Sequence, residues 1–274
     1  MKLFLDTAYL EEIEKASEAG LLDGVTTNPS LMKQAVEELH TEKGDEIKLE
    51  EYIEKILEAA GDVPVSLEVT GHTYEEMVEE GERLYNRFND VNDNVFVKIP
   101  VNPSFNDEER TYHGVKAIQE LTSKDIPVNA TLIFSPEQAL MAAKAGAKFV
   151  SPFAGRINDL IREKNNLEWD KGDYFPAKGL EGEEDDNGIK SGIDMVRECV
   201  EIIDKHDIED TEVLAASIRN KRMLREAAIV GSDIVTVPPD IIEDSLEHQK
   251  TVEGMKSFTD DTVEEYAEIT GGSN

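Results

Sequence analysis

One lysine stands out against its neighbours. Lys98 lies within VFVKIP, flanked by Val97 and Ile99, in a run otherwise suited to a core. A lysine in such a place pairs with a carboxylate, binds an anion or gives up its proton, because desolvation disfavours a charged ammonium. A neutral amine attacks a ketone carbonyl, so imine chemistry is open to this residue. That chemistry needs carboxylates close by to move protons, and two are available: Glu68 near the end of VPVSLEV and Asp6 at the end of KLFLD. A plain ion pair of Lys98 with Glu68 or Asp6 is the competing reading. The two readings are compatible, since an imine-forming lysine needs those same carboxylates.

Other polar residues recur where apolar runs end: Thr26, Asn28, Asn129, Thr131, Ser151 and Ser217. Buried polar groups cost free energy unless they are partnered. Capping would explain a threonine or serine singly, but not a Lys, a Glu and an Asp at the same end, so a shared site is expected. Arg156 follows SPFAG, and Ser217 and Arg219 lie in ASIRN. Guanidinium forks match the oxygens of an anionic substrate tail. The chain has no Walker loop, no GxGxxG and no HExxH, and His40, His72, His113, His206 and His248 lack metal-ligand spacing. No metal or organic cofactor is implied. Cys199, the single cysteine, sits in the helical pattern GIDMVRECVEIIDKH and reads as packing.

The elements that must hold these residues follow from periodicity. Strand-like runs occur at Lys2–Asp6, Gly24–Asn28, Val63–Val69, Val95–Ile99, Pro127–Phe134, Lys148–Phe153, Glu212–Ile218 and Ile234–Val237. Between them lie stretches such as LEEYIEKILEAAG and SPEQALMAAKAG, with apolar residues three and four apart. Strands alternating with helices imply parallel pairing through right-handed crossovers. Eight of them predict one (β/α)₈ TIM barrel, a single α/β domain over residues 1–274. The connection after the fourth strand, NPSFNDEERTYHG, is long, and so is one after the sixth at about 157–188. Trp169, Tyr174 and Phe175 suit the second to a lid, and its acidic, glycine-rich end suits it to a solvated insertion. Two helical patterns are expected in the tail at about 240–270.

Composition narrows the partners. With 60 acidic against 28 basic residues, the formal charge is −32, so a nucleic-acid backbone, which is bound through Lys and Arg, is excluded. A hydrophobic fraction of 39% is enough to build a core, which argues against an acidic disordered chain. An acidic surface of this kind stays hydrated in concentrated salt, where screening removes its self-repulsion, and a halophilic source is expected. No run approaches the roughly 20 apolar residues of a membrane helix, and Met1 leads directly into KLFLD without a signal-peptide pattern. A cytoplasmic location with no membrane partner is the expectation.

Read block by block, the chain resembles the transaldolase family in its short-chain branch. The blocks are FLDTA, GVTTNPSL, SLEV, VKIP, NATLIFSPEQAL, SPFAGR, ASIRN and a last strand running into PP. They cover nearly all the chain except the two long connections and the acidic tail. The resemblance implies a class I enzyme of carbohydrate metabolism, in the pentose phosphate pathway, that needs no cofactor and acts on sugar phosphates. Lys98 would form the Schiff base, and Asp6 would take a hydroxyl proton as the carbon–carbon bond breaks. Glu68 would work through a water held by Thr131. Asn28 and Asn129 would hold hydroxyls of the dihydroxyacetone unit and Ser151 its terminal hydroxyl, with Thr26 lining the same site. Arg156, Ser217 and Arg219 would take the phosphate.

The fructose 6-phosphate aldolase branch carries Gln where Glu68 stands and Tyr where Phe153 stands. Both residues here favour transfer over cleavage. A transferase acting on a sulfonated ketose (6-deoxy-6-sulfofructose), a lyase, and a non-catalytic sugar-phosphate-binding barrel are the alternatives. The resemblance also implies a ring-shaped homo-oligomer, a pentamer or decamer, assembled through the C-terminal helices.

Overall fold

Alternation along the strands decides what faces the barrel axis. In the computed structural model, which describes residues 1–43, 48–103, 105 and 111–271, strand β4 (Val95–Pro100) carries Val97 and Ile99 on its outer face. There they pack with Ala117, Ile118 and Leu121 of helix α5 (His113–Thr122). Phe96 and Lys98 take the opposite parity and point inward, as the two-residue period of a strand requires. The other strands are β1 (Lys2–Asp6), β2 (Gly24–Thr26), β3 (Val65–Glu68), β5 (Val128–Ile133), β6 (Phe149–Pro152), β7 (Glu212–Ala215) and β8 (Ile234–Val237). All pair in parallel with their sequence neighbours, and β8 pairs with β1 to close the barrel. The expected TIM barrel is the fold.

Aromatic rings fill the floor of the barrel. Phe96 stacks on Phe149 at 4.3 Å with an interplanar angle of 2°, and Phe4 meets Phe149 edge-on at 5.8 Å. Gly24 stands opposite Phe4 in the β1–β2 register. A Cβ there would lie 2.4 Å from the Phe4 ring, so only glycine lets that ring into the interior. Above this apolar plug the inward positions turn polar.

Helices α1 (Leu10–Glu18), α2 (Pro29–Lys43), α3 (Leu49–Ala60), α4 (Tyr74–Asn92), α6 (Pro136–Lys144), α7 (Ala154–Lys164), α8 (Gly192–Lys205) and α9 (Lys221–Ile229) surround the strands. Local signals start several of them. Thr73 and Glu76 form a reciprocal capping box on α4, while Ser135, Ser191 and Asn220 cap α6, α8 and α9. Each satisfies backbone N–H groups that a helix leaves unpaired at its start.

Two expected boundaries move. The stretch at 157–188 begins inside α7, which starts directly after β6, and the irregular connection runs over residues 165–191. Gly155 in the first turn disguises the helix, which Ile157 and Ile161 bury against the core. The tail forms three helices instead of two: α10 (Pro239–Leu246), α11 (Gln249–Asp260) and α12 (Glu264–Thr270). Residue 104 and residues 106–110 of the connection after β4 lie outside the described residues. Cys199 is fully buried, and burial pushes its thiol up to about 12, in keeping with a packing role.

The irregular connection is fastened to the barrel wall. Phe175 is buried, and the buried Arg162 guanidinium of α7 lies 5.8 Å from the Trp169 ring centre and 5.1 Å from that of Phe175. Arg162 also donates to the Asp173 carbonyl at 2.8 Å. Tyr174 donates to Glu226 of α9 at 2.8 Å, with the Arg222 guanidinium 3.6 Å from its ring centre. Among the described residues, no helix is long and apolar enough to cross a membrane.

Candidate active site

Register brings the ionisable groups together. Glu68 pairs with Lys98, and Lys98 with Asn129, across three adjacent strands, while Asp6 stands beside Thr26. These side chains share inward parity at the C-terminal ends of their strands, the face on which loops of a (β/α)₈ barrel build sites. A cavity of about 610 Å³ opens there, lined by Asp6, Thr26, Asn28, Glu68, Lys98, Asn129, Thr131, Ser151, Phe153, Arg156, Ser217 and Arg219. Every site residue expected from the sequence therefore borders one space.

Lys98 is 5% exposed, and its Nζ sits 2.8 Å from a Glu68 carboxylate oxygen. It also donates to the Thr27 carbonyl at 2.8 Å. The ion-pair reading with Glu68 is thus realised, inside a cavity large enough to take a ligand. Asp6 accepts from the Thr26 hydroxyl at 2.8 Å, and that hydroxyl lies 2.6 Å from the hydroxyl of Thr236. Burial raises the Asp6 carboxyl above its ordinary value, opposed by the Lys98 ammonium and the Thr26 hydrogen bond. Desolvation penalises the carboxylate form, which is the physical cause of that rise.

Around this pair the polar residues are pre-oriented. Asn129 donates to Ser66 at 3.2 Å and accepts from Ser151 at 2.6 Å, which fixes which way its amide faces. Asn28 accepts from the Ser30 and Leu31 amides, both at 3.0 Å, and so caps α2 while lining the cavity. The Thr131 hydroxyl is fully buried and has no hydrogen-bond partner. An orphan of this kind costs about 1–3 kcal/mol unless water or a ligand meets it. Thr131 keeps the inward parity of Asn129, and a register shift follows in β5 between Ala130 and Ile133, where Leu132 has φ 55°. Bulges of this type re-aim side chains, and both Thr131 and Leu132 face the cavity although adjacent in sequence.

The arginines divide. Arg219 places two guanidinium nitrogens on the Asp159 carboxylate at 2.6 and 2.5 Å, while its buried Nε has no partner. A Cβ on Gly155 would stand 2.6 Å from that Nε and 2.3 Å from the Ser217 carbonyl, so glycine keeps the corner open. Ser217 itself has φ 58°, the left-handed region disfavoured for a residue with a side chain. Arg156 is exposed on α7, with its guanidinium 5.4 Å from the Phe153 ring centre.

Sequence reasoning missed Thr236, Ser66, Lys171 and Asp159. The inward parity of Thr236 in IVTV and of Ser66 in VPVSLEV was a usable signal. Asp159 and Lys171 had none, because their relation to the cavity depends on how α7 and the irregular connection pack. Among the described residues, no group of His, Cys, Asp and Glu is arranged to hold a metal.

The family described as Transaldolase/Fructose-6-phosphate aldolase matches residues 3–270. A probable transaldolase of Nitrosopumilus maritimus (strain SCM1) is 40% identical over 261 residues, covering 95% of this chain and 94% of that protein. A probable transaldolase of Chlorobium phaeobacteroides (strain BS1) is 41% identical over 261 residues, covering 95% and 97%. One from Chlorobium phaeobacteroides (strain DSM 266 / SMG 266 / 2430) is 40% identical over 263 residues, covering 96% of each. Since the family match spans the whole barrel and all the strands that line the cavity, the chain belongs to the transaldolase/fructose-6-phosphate aldolase family.

Proposed function

We propose that this transaldolase-type enzyme moves a dihydroxyacetone unit from a ketose phosphate of the fructose 6-phosphate type to an aldose acceptor, through an imine on Lys98. The observation that carries the reading is the buried Lys98–Glu68 pair at 2.8 Å, with Asp6 on the same cavity wall. Glu68 is positioned to take the ammonium proton, which frees the amine to attack the donor carbonyl. The resulting carbinolamine loses water as Glu68 returns a proton, through a water bound by the otherwise unpartnered Thr131 hydroxyl. Asp6 then takes the hydroxyl proton while the carbon–carbon bond breaks, and the electron pair flows into the imine to give an enamine. An aldehyde product leaves, an acceptor aldehyde enters, and the steps reverse.

Asn28, Asn129 and Ser151 hold the hydroxyls of the dihydroxyacetone unit. The Ser66–Asn129–Ser151 chain of hydrogen bonds supports this by presenting fixed donors and acceptors. Arg156, Ser217 and the free Nε of Arg219 take the terminal phosphate. Phe153 offers no proton, so the enamine waits for an acceptor.

The deciding experiment is borohydride reduction with fructose 6-phosphate, followed by peptide mass analysis. A reduced three-carbon adduct on Lys98 is expected, and Lys98→Met abolishes both adduct and turnover. An adduct on another residue, or turnover without any, overturns the mechanism. Parallel assays with erythrose 4-phosphate as acceptor, and with the 6-sulfo ketose as donor, identify the substrate.

The same proposal includes a homo-oligomer. Helix α11 buries no residue, and Val252, Met255, Phe258 and Tyr266 are exposed, an apolar surface suited to a second subunit. Light scattering at micromolar concentration that gives a monomer mass removes it.

A further inference from the structure

Four cations line the cavity: Lys98, Arg156, Lys171 and Arg219. Two are already neutralised inside the protein. Lys98 is paired with Glu68 and Arg219 with Asp159. Neither Arg156 nor Lys171 has an ion-pair partner within 4 Å among the described residues. Both therefore keep an uncompensated positive charge at the cavity, in a chain where acidic residues outnumber basic ones by 60 to 28.

Lys171 lies outside the sequence blocks that carry the family resemblance. It belongs to the irregular connection over residues 165–191, and the chain on both sides of it is tied down. The Asp173 amide donates to the Asp170 carbonyl at 2.9 Å, and the Asp170 amide to the Asp173 side chain at 2.9 Å, making a tight turn with Lys171 inside it. Arg162 of α7 holds the Asp173 carbonyl at 2.8 Å, and Asn220, the cap of α9, holds the Gly172 carbonyl at 3.1 Å. The turn is therefore fixed at the rim between α7 and α9, the elements that carry Arg156 and follow Arg219. Lys171 lines the same cavity as Asp6, and its charge adds slightly to what favours the ionised form of that carboxyl.

We propose that Lys171 is a specificity-determining residue that selects substrates with a doubly charged terminal phosphate. This rests on the reading of the cavity as a sugar-phosphate site. The Arg219–Asp159 pair carries no net charge, so it offers hydrogen bonds without neutralising an anion. Arg156 supplies one positive charge and Lys171 the second, matching a phosphate near charge −2 above its second ionisation at about pH 6. A sulfonate, with one charge, gains less from the second cation. The irregular connection thus acts as a fixed arm that brings a charge to the mouth.

The test uses arabinitol 5-phosphate, a sugar-alcohol phosphate with no carbonyl to react, and arabinitol as its uncharged counterpart. Binding is measured by calorimetry on the full-length wild type, Lys171→Met and Lys171→Arg. At pH 7.5 Lys171→Met is expected to weaken the phosphate ligand about tenfold, and Lys171→Arg to stay within about threefold of wild type. At pH 5, where the phosphate carries one charge, the Lys171→Met loss shrinks to about threefold or less. Arabinitol binding is unchanged in both variants. A loss that is equal at both pH values, or equal for arabinitol, assigns Lys171 a merely structural role and overturns the proposal, as does a wild type that fails to bind arabinitol 5-phosphate. Borohydride trapping on Lys98 is run separately. Trapping without Lys171-dependent binding leaves the imine mechanism standing and ends this proposal, and the reverse result ends the mechanism alone.

Discussion

Asp159 grips Arg219 with both carboxylate oxygens, at 2.6 and 2.5 Å, and stands 3.7 Å from Arg162. One carboxylate therefore serves the arginine that borders the cavity and the arginine that anchors the irregular connection. The side chains are 11% and 6% exposed for the arginines and 23% for Asp159. Asp159→Ala leaves two nearly buried guanidinium groups uncompensated and is expected to cost roughly 2–4 kcal/mol, the scale for breaking a buried pair reduced for partial exposure. Urea unfolding at constant m-value measures it, and a loss below about 0.5 kcal/mol would show that the pair is not structural. Asp159→Asn, which keeps one acceptor, loses less.

Asp6 sets a pH dependence with a definite sign. Its carboxyl is raised by burial, so the folded state holds that proton more tightly than the unfolded chain. Ionisation then penalises the fold: the penalty begins as pH rises above the unfolded value and is complete above the raised folded value. Asp6→Asn, which keeps an oxygen for Thr26, should abolish turnover yet gain stability over wild type at pH 7.5. That gain should vanish near pH 3, where both proteins are uncharged at this position. Thermal melts of the two proteins at both pH values provide the comparison, and an Asn variant less stable at pH 7.5 than at pH 3, relative to wild type, contradicts the assignment. The acid limb of kcat/KM should likewise lie above the usual carboxylate range.

Phe153 lines the cavity next to Arg156 and Phe134. With no hydroxyl there, fructose 6-phosphate alone should turn over slowly until an acceptor aldehyde is added. Phe153→Tyr supplies a proton donor to the enamine and should raise release of free dihydroxyacetone on the order of tenfold or more. Rapid cleavage by the wild type without acceptor would move the enzyme to the lyase class.

Net charge makes stability depend on salt. With a formal charge of −32, repulsion among exposed carboxylates acts over a screening length of about 30 Å at 0.01 M, shrinking to about 3 Å at 1 M. The melting temperature should therefore climb as KCl rises from dilute buffer to molar concentration. A flat or falling curve removes the halophilic reading and leaves the chemistry untouched.

The barrel and much of its site were legible because both rest on a two-residue period. A lysine between Val97 and Ile99 takes the opposite face from them, and the same parity places Asp6 above Phe4 and Ser151 above Phe149. Once eight parallel strands close, inward residues at the same end of each strand must meet. Lys98, Glu68 and Asp6 could be grouped from sequence for that reason.

What tertiary structure alone decided concerns contacts without any period. The Asp159–Arg219 fork joins a helix to a loop 60 residues away, and no local pattern encodes the distance between them. The start of α7 was hidden by Gly155, a poor helix former whose use is a close approach to Ser217. The shift in β5 that turns Leu132 to the same cavity as its neighbour Thr131 breaks the very alternation on which the sequence reading depends. Lys171 reads along the chain as one charge in an acidic connection; only the packing of Arg162 and Asn220 against its turn brings it to the barrel mouth. Periodic burial is written locally in residue type, whereas the partner of a charged side chain is chosen by whichever elements the closed barrel brings beside it.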